Sequence, residues 1–123
     1  MGDFNLTPQL PSNGLTVLEL FCGGGIGAVG FKAAGYDIIK AIDFDKSAVK
    51  AYRYNFGDYV EQADINEIDI ESLPKTDVIF GGPPCQDYSL AGKGEGERGE
   101  RGKLVWRYLE IIAAKKPKAF VFE

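Results

Sequence analysis

At 123 residues the chain is long enough for one domain, and its 45% hydrophobic and 26% charged residues are ordinary for a globular protein. A net charge of −4 excludes a surface that binds polyanions as a whole, so any nucleic-acid contact must be local or supplied by other segments. Two cysteines and no histidine exclude a disulfide framework, a Cys–His pair and an ordinary zinc site, and no apolar run nears the ~20 residues that cross a bilayer.

Residues 1–14, with Pro8, Pro11, Ser12, Asn13 and Gly14, lack periodicity and read as a flexible leader. From Leu15 onward strand-like and helix-like segments alternate. Thr16–Phe21 is the first expected strand. Ile26–Ala34 is a short helix that Gly35 can end in a left-handed cap. Asp37–Ile42 is the second strand, and Asp45 can cap a helix with Ala48, Val49, Tyr52 and Phe56 on one face. Tyr59–Ala63 is a third, weaker strand and Asp77–Phe80 a fourth, with room in 67–74 for only a turn or so of helix between them. Trp106, Leu109, Ile112 and Ala113 mark a last helix, and Lys118–Phe122 a fifth strand. No internal repeat interrupts the series. Such alternation implies an α/β doubly wound, Rossmann-like parallel sheet of order 3-2-1-4-5, with residues 15–123 as its domain.

In sheets of this kind ligands sit beyond the carboxyl ends of the strands. Each expected strand here ends in polar, glycine-rich or reactive groups: residues 22–27, Asp43, Asp64, residues 81–85 and Glu123. Acids at such positions are often plain caps, and that reading stays open for Asp45 and Asp64. The stretch LELFCGGGIGAVG places Gly25, Gly27 and Gly30 in a G-x-G-x-x-G pattern between strand and helix, with Asp43 eighteen residues beyond Gly25. These glycines allow close backbone approach to a ligand, and Asp43 can accept from ribose hydroxyls. A nicotinamide dinucleotide and S-adenosylmethionine both fit that pattern. Glu19, an acid inside the strand end, favours the second, because the cofactor's amino group gains from a nearby carboxylate. Cys22 reads as a small buried filler.

The remaining signal is GGPPCQ, at Gly81 to Gln86, just past the fourth strand. Together with ELFCGGG it closely resembles the DNA (cytosine-5) methyltransferases, and DVIFGGPPCQDYSLAGK followed by RGKLVWRYLEIIAAKKPKAFVFE extends the resemblance to Glu123. The resemblance implies Cys85 as nucleophile and Glu123 as the acid that opens the family's Glu-Asn-Val motif. It implies S-adenosylmethionine as cofactor, lined by Phe21, Gly23 and Gly25, with Asp43 on the ribose, Phe44 on the adenine face, Asp64 and Ile65 on the adenine edge and Leu104 at the methionine side. It also implies double-stranded DNA with a flipped cytosine as partner, and a home in a bacterial or phage cytoplasm or a eukaryotic nucleus. The family continues past the Glu-Asn-Val motif with an arginine-bearing motif, a recognition region and a last cofactor-binding helix. The chain is therefore expected to form the first part of a catalytic domain, inactive and prone to self-association alone, with a complementary C-terminal chain as a possible partner.

Some residues depart from the family pattern. Ile26 stands where glycine is usual, Asp43 replaces a commoner glutamate, and Asp87 and Tyr88 replace glycine and phenylalanine. Asp87–Arg107, with five glycines and Lys93, Arg98, Arg101, Lys103 and Arg107, resembles the family's mobile loop over flipped DNA. Lys115, Lys116 and Lys118 read as a helix end, where cations complement the dipole. Other readings are a tRNA cytosine methyltransferase, a non-catalytic S-adenosylmethionine-binding half of a split enzyme, and a nicotinamide enzyme, which the Pro-Pro-Cys-Gln run opposes.

Overall fold

The structure, a computed structural model, describes residues 10–82 and 100–123. Strands β1 (Thr16–Leu20), β2 (Asp37–Asp43), β3 (Val60–Gln62), β4 (Val78–Gly81) and β5 (Ala119–Phe122) alternate with helices α1 (Ile26–Ala33), α2 (Lys46–Asn55) and α3 (Glu100–Lys115). A single 3-10 turn at Ile70–Ser72 precedes β4, so β3 and β4 are linked without an α-helix, as the short spacing required. The sheet is parallel throughout, in the order β3-β2-β1-β4-β5.

The central strand β1 is apolar on both faces, apart from Glu19, because helices cover both sides of it. Its alternation sorts the core into two layers. Val17 faces α1 and α2 with Ala28, Ile38, Ala41, Val49 and Tyr52. Leu18 and Leu20 face α3 with Ile42, Ile79, Tyr108 and Ile111. Glu19 shares the parity of Val17, so a carboxyl group lies on the α1/α2 side of the core with only 1% of its surface exposed.

The helix ends follow from local sequence. Asp45 accepts from the Ala48 N–H at 2.9 Å and caps α2, so the plain capping role of this acid is real. Gly35, at φ 91°, ends α1 in a Schellman turn, with Tyr36 N–H donating to Phe31 and Gly35 N–H to Lys32. The neighbouring N-terminal stretch lies against this turn, with Leu10 N–H donating to Ala33 and Asn13 N–H to Gly35. At the other end of the sheet, Asp77 accepts from Thr16 N–H at 2.9 Å and from its hydroxyl at 3.1 Å, and it pairs with Lys118 at 3.3 Å. The Thr16 bonds and the lysine hold its carboxyl below the usual carboxylate range. Lys118 therefore serves the β1–β4–β5 junction rather than only the helix end.

The expected last helix is α3, and its burial is set by a different stripe from the one that marks it in the sequence. Trp106 and Leu109 are exposed, and the face turned to the sheet carries Tyr108 and Ile111, with Leu104 and Ile112 half-buried beside them. The Tyr108 ring fits because position 81 is glycine: a Cβ there would lie 2.5 Å from the ring and 3.1 Å from the Leu20 carbonyl oxygen. The Tyr108 hydroxyl then donates to the Val121 carbonyl at 2.7 Å and ties β5 to the helix. Gly81→Ala is expected to cost about 1–3 kcal/mol through overpacking. A lower urea midpoint would register it, and an unchanged midpoint would mean that Tyr108 does not depend on the missing side chain.

Candidate active site

The carboxyl ends of the strands open on two adjoining hollows. The first, about 420 Å³, is lined by Phe21, Ile42, Asp43, Phe44, Asp45, Ala63, Asp64, Ile65, Asn66, Gly82 and Leu104. The second, about 330 Å³, is lined by Glu19, Phe21, Cys22, Gly23, Gly24, Ile26, Gly27, Phe80, Gly82 and Glu123. Phe21 and Gly82 belong to both, so the hollows meet at the ends of β1 and β4.

Six expected cofactor residues, Phe21, Asp43, Phe44, Asp64, Ile65 and Leu104, share the first hollow. Phe44 leaves 71% of its surface exposed at the hollow's rim, as an aromatic face without a partner ring would. Asp43 has a second task. Its carboxylate accepts from the Gly23 N–H at 3.1 Å and the Asp45 N–H at 3.0 Å, fixing the glycine loop to the end of β2. A carboxylate offers about four lone-pair sites, so two remain for hydroxyl donors. Asp64 likewise both lines the hollow and builds its wall. It accepts from the Asn66 N–H at 2.9 Å, and its carbonyl accepts from Glu67 and Ile68.

The glycine loop is bent where the sequence leads one to expect it. Phe21, Gly23 and Gly25 all have positive φ, at 56°, 54° and 105°. Gly25 caps α1 and lines neither hollow. Its place is structural, since a Cβ there would overlap the Phe56 ring. Gly27 is crowded in the same way by Phe80, with Glu19 Oε2 3.4 Å from where its Cβ would stand. Cys22 is buried, and burial raises its thiol pKa well above the ordinary range, as a filler rather than a reactive group.

Glu123 lines the second hollow, where its side chain lies beside Gly82 and its N–H donates to Gly81 at 3.1 Å. Glu19 lines the same hollow. Burial, with the nearby Asp43 charge added, pushes the Glu19 carboxyl up to about 7, against the opposing hydrogen bond from Tyr52 and the charge of Lys32. Tyr52 is the functional partner that sequence reasoning missed. A tyrosine on an apolar helix face whose hydroxyl needs a partner was the available signal. Cys85, three residues beyond Gly82, lies outside the described residues, as do the other loop cations up to Arg98. Arg107 does not belong to a DNA-facing loop. It sits in α3 and its guanidinium donates to the carbonyls of Ile65, at 2.8 Å, and Ile68.

Residues 15–123 match the family model for C-5 cytosine-specific DNA methylase. The chain belongs to that family. It is 42% identical to the Type II methyltransferase M.NgoFVII of Neisseria gonorrhoeae over 114 residues, which cover 91% of the chain and 30% of the relative. It is 42% identical to the Type II methyltransferase M.FnuDI of Fusobacterium nucleatum, covering 89% of the chain and 32% of that relative. The chain thus spans about a third of the length of these methylases, at their N-terminal part. Among solved structures, the Entamoeba histolytica methyltransferase EhMeth superposes with a TM-score of 0.71 at 25% identity, covering 85% of this chain and 35% of that one. The Dnmt2 methyltransferase of S. pombe, at 23% identity and TM-score 0.62, covers 80% of this chain and 29% of that one and shares the fold. The family's S-adenosylmethionine-dependent methyltransferase architecture is the one described above.

Proposed function

We propose that this chain forms the cofactor-binding and nucleophile-bearing part of an enzyme that methylates cytosine C5 in double-stranded DNA. The observation that carries the reading is the junction of the two hollows at Phe21 and Gly82. One offers an exposed aromatic ring, a ribose-reaching carboxylate and a polar edge. The other holds two glutamates, Glu19 and Glu123, and is lined by Gly82, three positions before Cys85 in the sequence. The residues present fit S-adenosylmethionine. Phe44 would face adenine, Asp43 would accept from the ribose hydroxyls, Asp64 and Ile65 would meet the adenine edge, and Glu19 would receive the ammonium of the amino-acid end. Bound there, the cofactor supplies an electrophilic methyl group.

The chain's own residues would then act on the base. Cytosine C5 is a weak nucleophile, so the Cys85 thiolate adds to C6 and raises electron density at C5. Negative charge that develops on the ring is relieved by a proton passed from Glu123 to N3. After C5 takes the methyl group its proton passes to a water base, the C6–S bond breaks to restore the thiolate, and the N3 proton returns to Glu123. A duplex conceals C6 within the stack, so the cytosine must first swing out of the helix. The whole activity is proposed for a polypeptide or complex that also supplies the segments the longer relatives possess. The apolar β5, with Phe120, Val121 and Phe122 all exposed, supports docking of such a complementary C-terminal part.

The cofactor reading has a direct test. S-adenosylhomocysteine is expected to bind this chain weakly, in the millimolar to high-micromolar range, with heat detectable by calorimetry. NADH is expected to give none. Preference for NADH would replace the methyltransferase reading with a dinucleotide one.

A further inference from the structure

Glu19 is held by more than burial. The Tyr52 hydroxyl donates to its Oε1 at 2.8 Å, and Tyr52 is itself fully buried. The Tyr59 hydroxyl lies 3.3 Å from that of Tyr52. A hydroxyl has one proton to give, so with the Tyr52 proton on Glu19 the second bond is donated by Tyr59. Lys32 completes the row, its ammonium 5.3 Å from the centre of the Tyr59 ring. The three residues come from α1, α2 and the turn before β3, and all converge on one carboxyl of β1. Its other oxygen, Oε2, points to the Gly27 side, where the second hollow begins. The Tyr52 bond occupies Oε1 alone.

We propose that Tyr52 is a positioning residue for the cofactor: its hydroxyl, backed by Tyr59, locks Glu19 so that Oε2 faces the glycine-loop hollow and receives the ligand's ammonium group. This rests on the reading that Glu19 meets the amino-acid end of S-adenosylmethionine. The physical reason is orientation. An untethered glutamate would spread its carboxyl over several rotamers, and each bound ammonium would have to select one. A tethered one offers a single acceptor in fixed place.

The same row makes affinity depend on pH, with a definite sign. The ionised carboxylate is the form that attracts an ammonium. Among the groups around it, Tyr52 and Lys32 favour ionisation, while burial and Asp43 oppose it; Glu123 lines the same hollow, and the Cys22 thiol stays neutral. Removing the Tyr52 hydroxyl takes away the hydrogen bond that stabilises the charge, so the rise of affinity with pH must move to higher pH.

The test compares two ligands by calorimetry between pH 5.5 and 8.5. S-adenosylhomocysteine carries the amino-acid end, and 5′-methylthioadenosine lacks it. Tyr52→Phe is expected to weaken S-adenosylhomocysteine roughly tenfold at pH 7, as loss of a bond to a charged group does. It should leave methylthioadenosine within about twofold and shift the pH profile upward. Tyr59→Phe, which keeps Tyr52 in place, should shift the profile the same way by less. Equal loss for both ligands, or an unmoved profile in both variants, would reduce Tyr52 to core packing and overturn the proposal. The underlying reading is judged separately by Glu19→Gln. If that variant leaves the ratio of the two affinities unchanged, Glu19 does not meet the ammonium at all.

Discussion

Cys85→Ser is expected to abolish covalent capture of duplex DNA containing 5-fluorocytosine, measured as a slow band on a denaturing gel. The measurement uses this chain joined to the C-terminal segments of a close relative. Fluorine at C5 cannot leave as the proton does, so a chain that has added to C6 stays attached. Serine's hydroxyl is not ionised near neutrality, whereas a thiol with a pKa of about 8.5 is ionised in part and more so in a positive setting. Turnover should fall by more than about a thousandfold, the scale on which nucleophile removal acts. Cys22→Ser makes the comparison sharp. Its sulfur is buried between the sheet and α1, so a serine there leaves a hydroxyl to satisfy and lowers stability while the adduct still forms. Adducts of equal yield from both variants would remove Cys85 from its role.

Glu19→Gln is expected to flatten the pH dependence of folding stability between about pH 4.5 and pH 7. The carboxyl is near 4.5 when free and about 7 in the fold, so the folded state holds the proton more tightly. Stability from this group is complete below the lower value and drains away as pH rises through the upper one. The total is about 3 kcal/mol, roughly a fifth or more of what a domain of this size possesses. Urea denaturation at pH 5 and pH 8 for both proteins gives the measurement. Other carboxyls, Asp77 among them, act with the opposite sign at lower pH and cancel between wild type and variant. Parallel curves for the two proteins would show that burying Glu19 carries no such cost.

Much of this was legible before any coordinates. The strands β1, β2 and β4 declare themselves as short apolar runs closed by glycine or acid, and Asp45 marks the start of α2. The order of the sheet follows from strand–helix alternation and the hand of parallel crossovers. Asp43, Asp64 and Glu123 were visible because strand ends are where such folds place ligands. The face of α3 was not. Leu104, Tyr108 and Ile111 recur at helical spacing as convincingly as Trp106, Leu109 and Ile112 do. The choice between those stripes was made by Gly81, which vacates space for one ring, and by Arg107, whose acceptors lie about forty residues earlier in the chain. Tyr52 was legible as an inward residue and no more. Its acceptor is thirty-three positions away, and periodicity reports a direction, never a partner.

The Arg107 clamp has a consequence for how the molecule can respond. It fastens the backbone at Ile65, which lines the first hollow, and at Ile68 to the helix α3. A ligand that shifts Ile65 must therefore drag α3 with it or break two charge-assisted bonds. The converse holds with equal force, since a coupling free energy between two sites has one value whichever is occupied first. Anything that steadies α3 steadies the Ile65 wall of the first hollow by the same factor. The guanidinium of Arg107 is thus a mechanical link between α3 and the backbone that walls the first hollow.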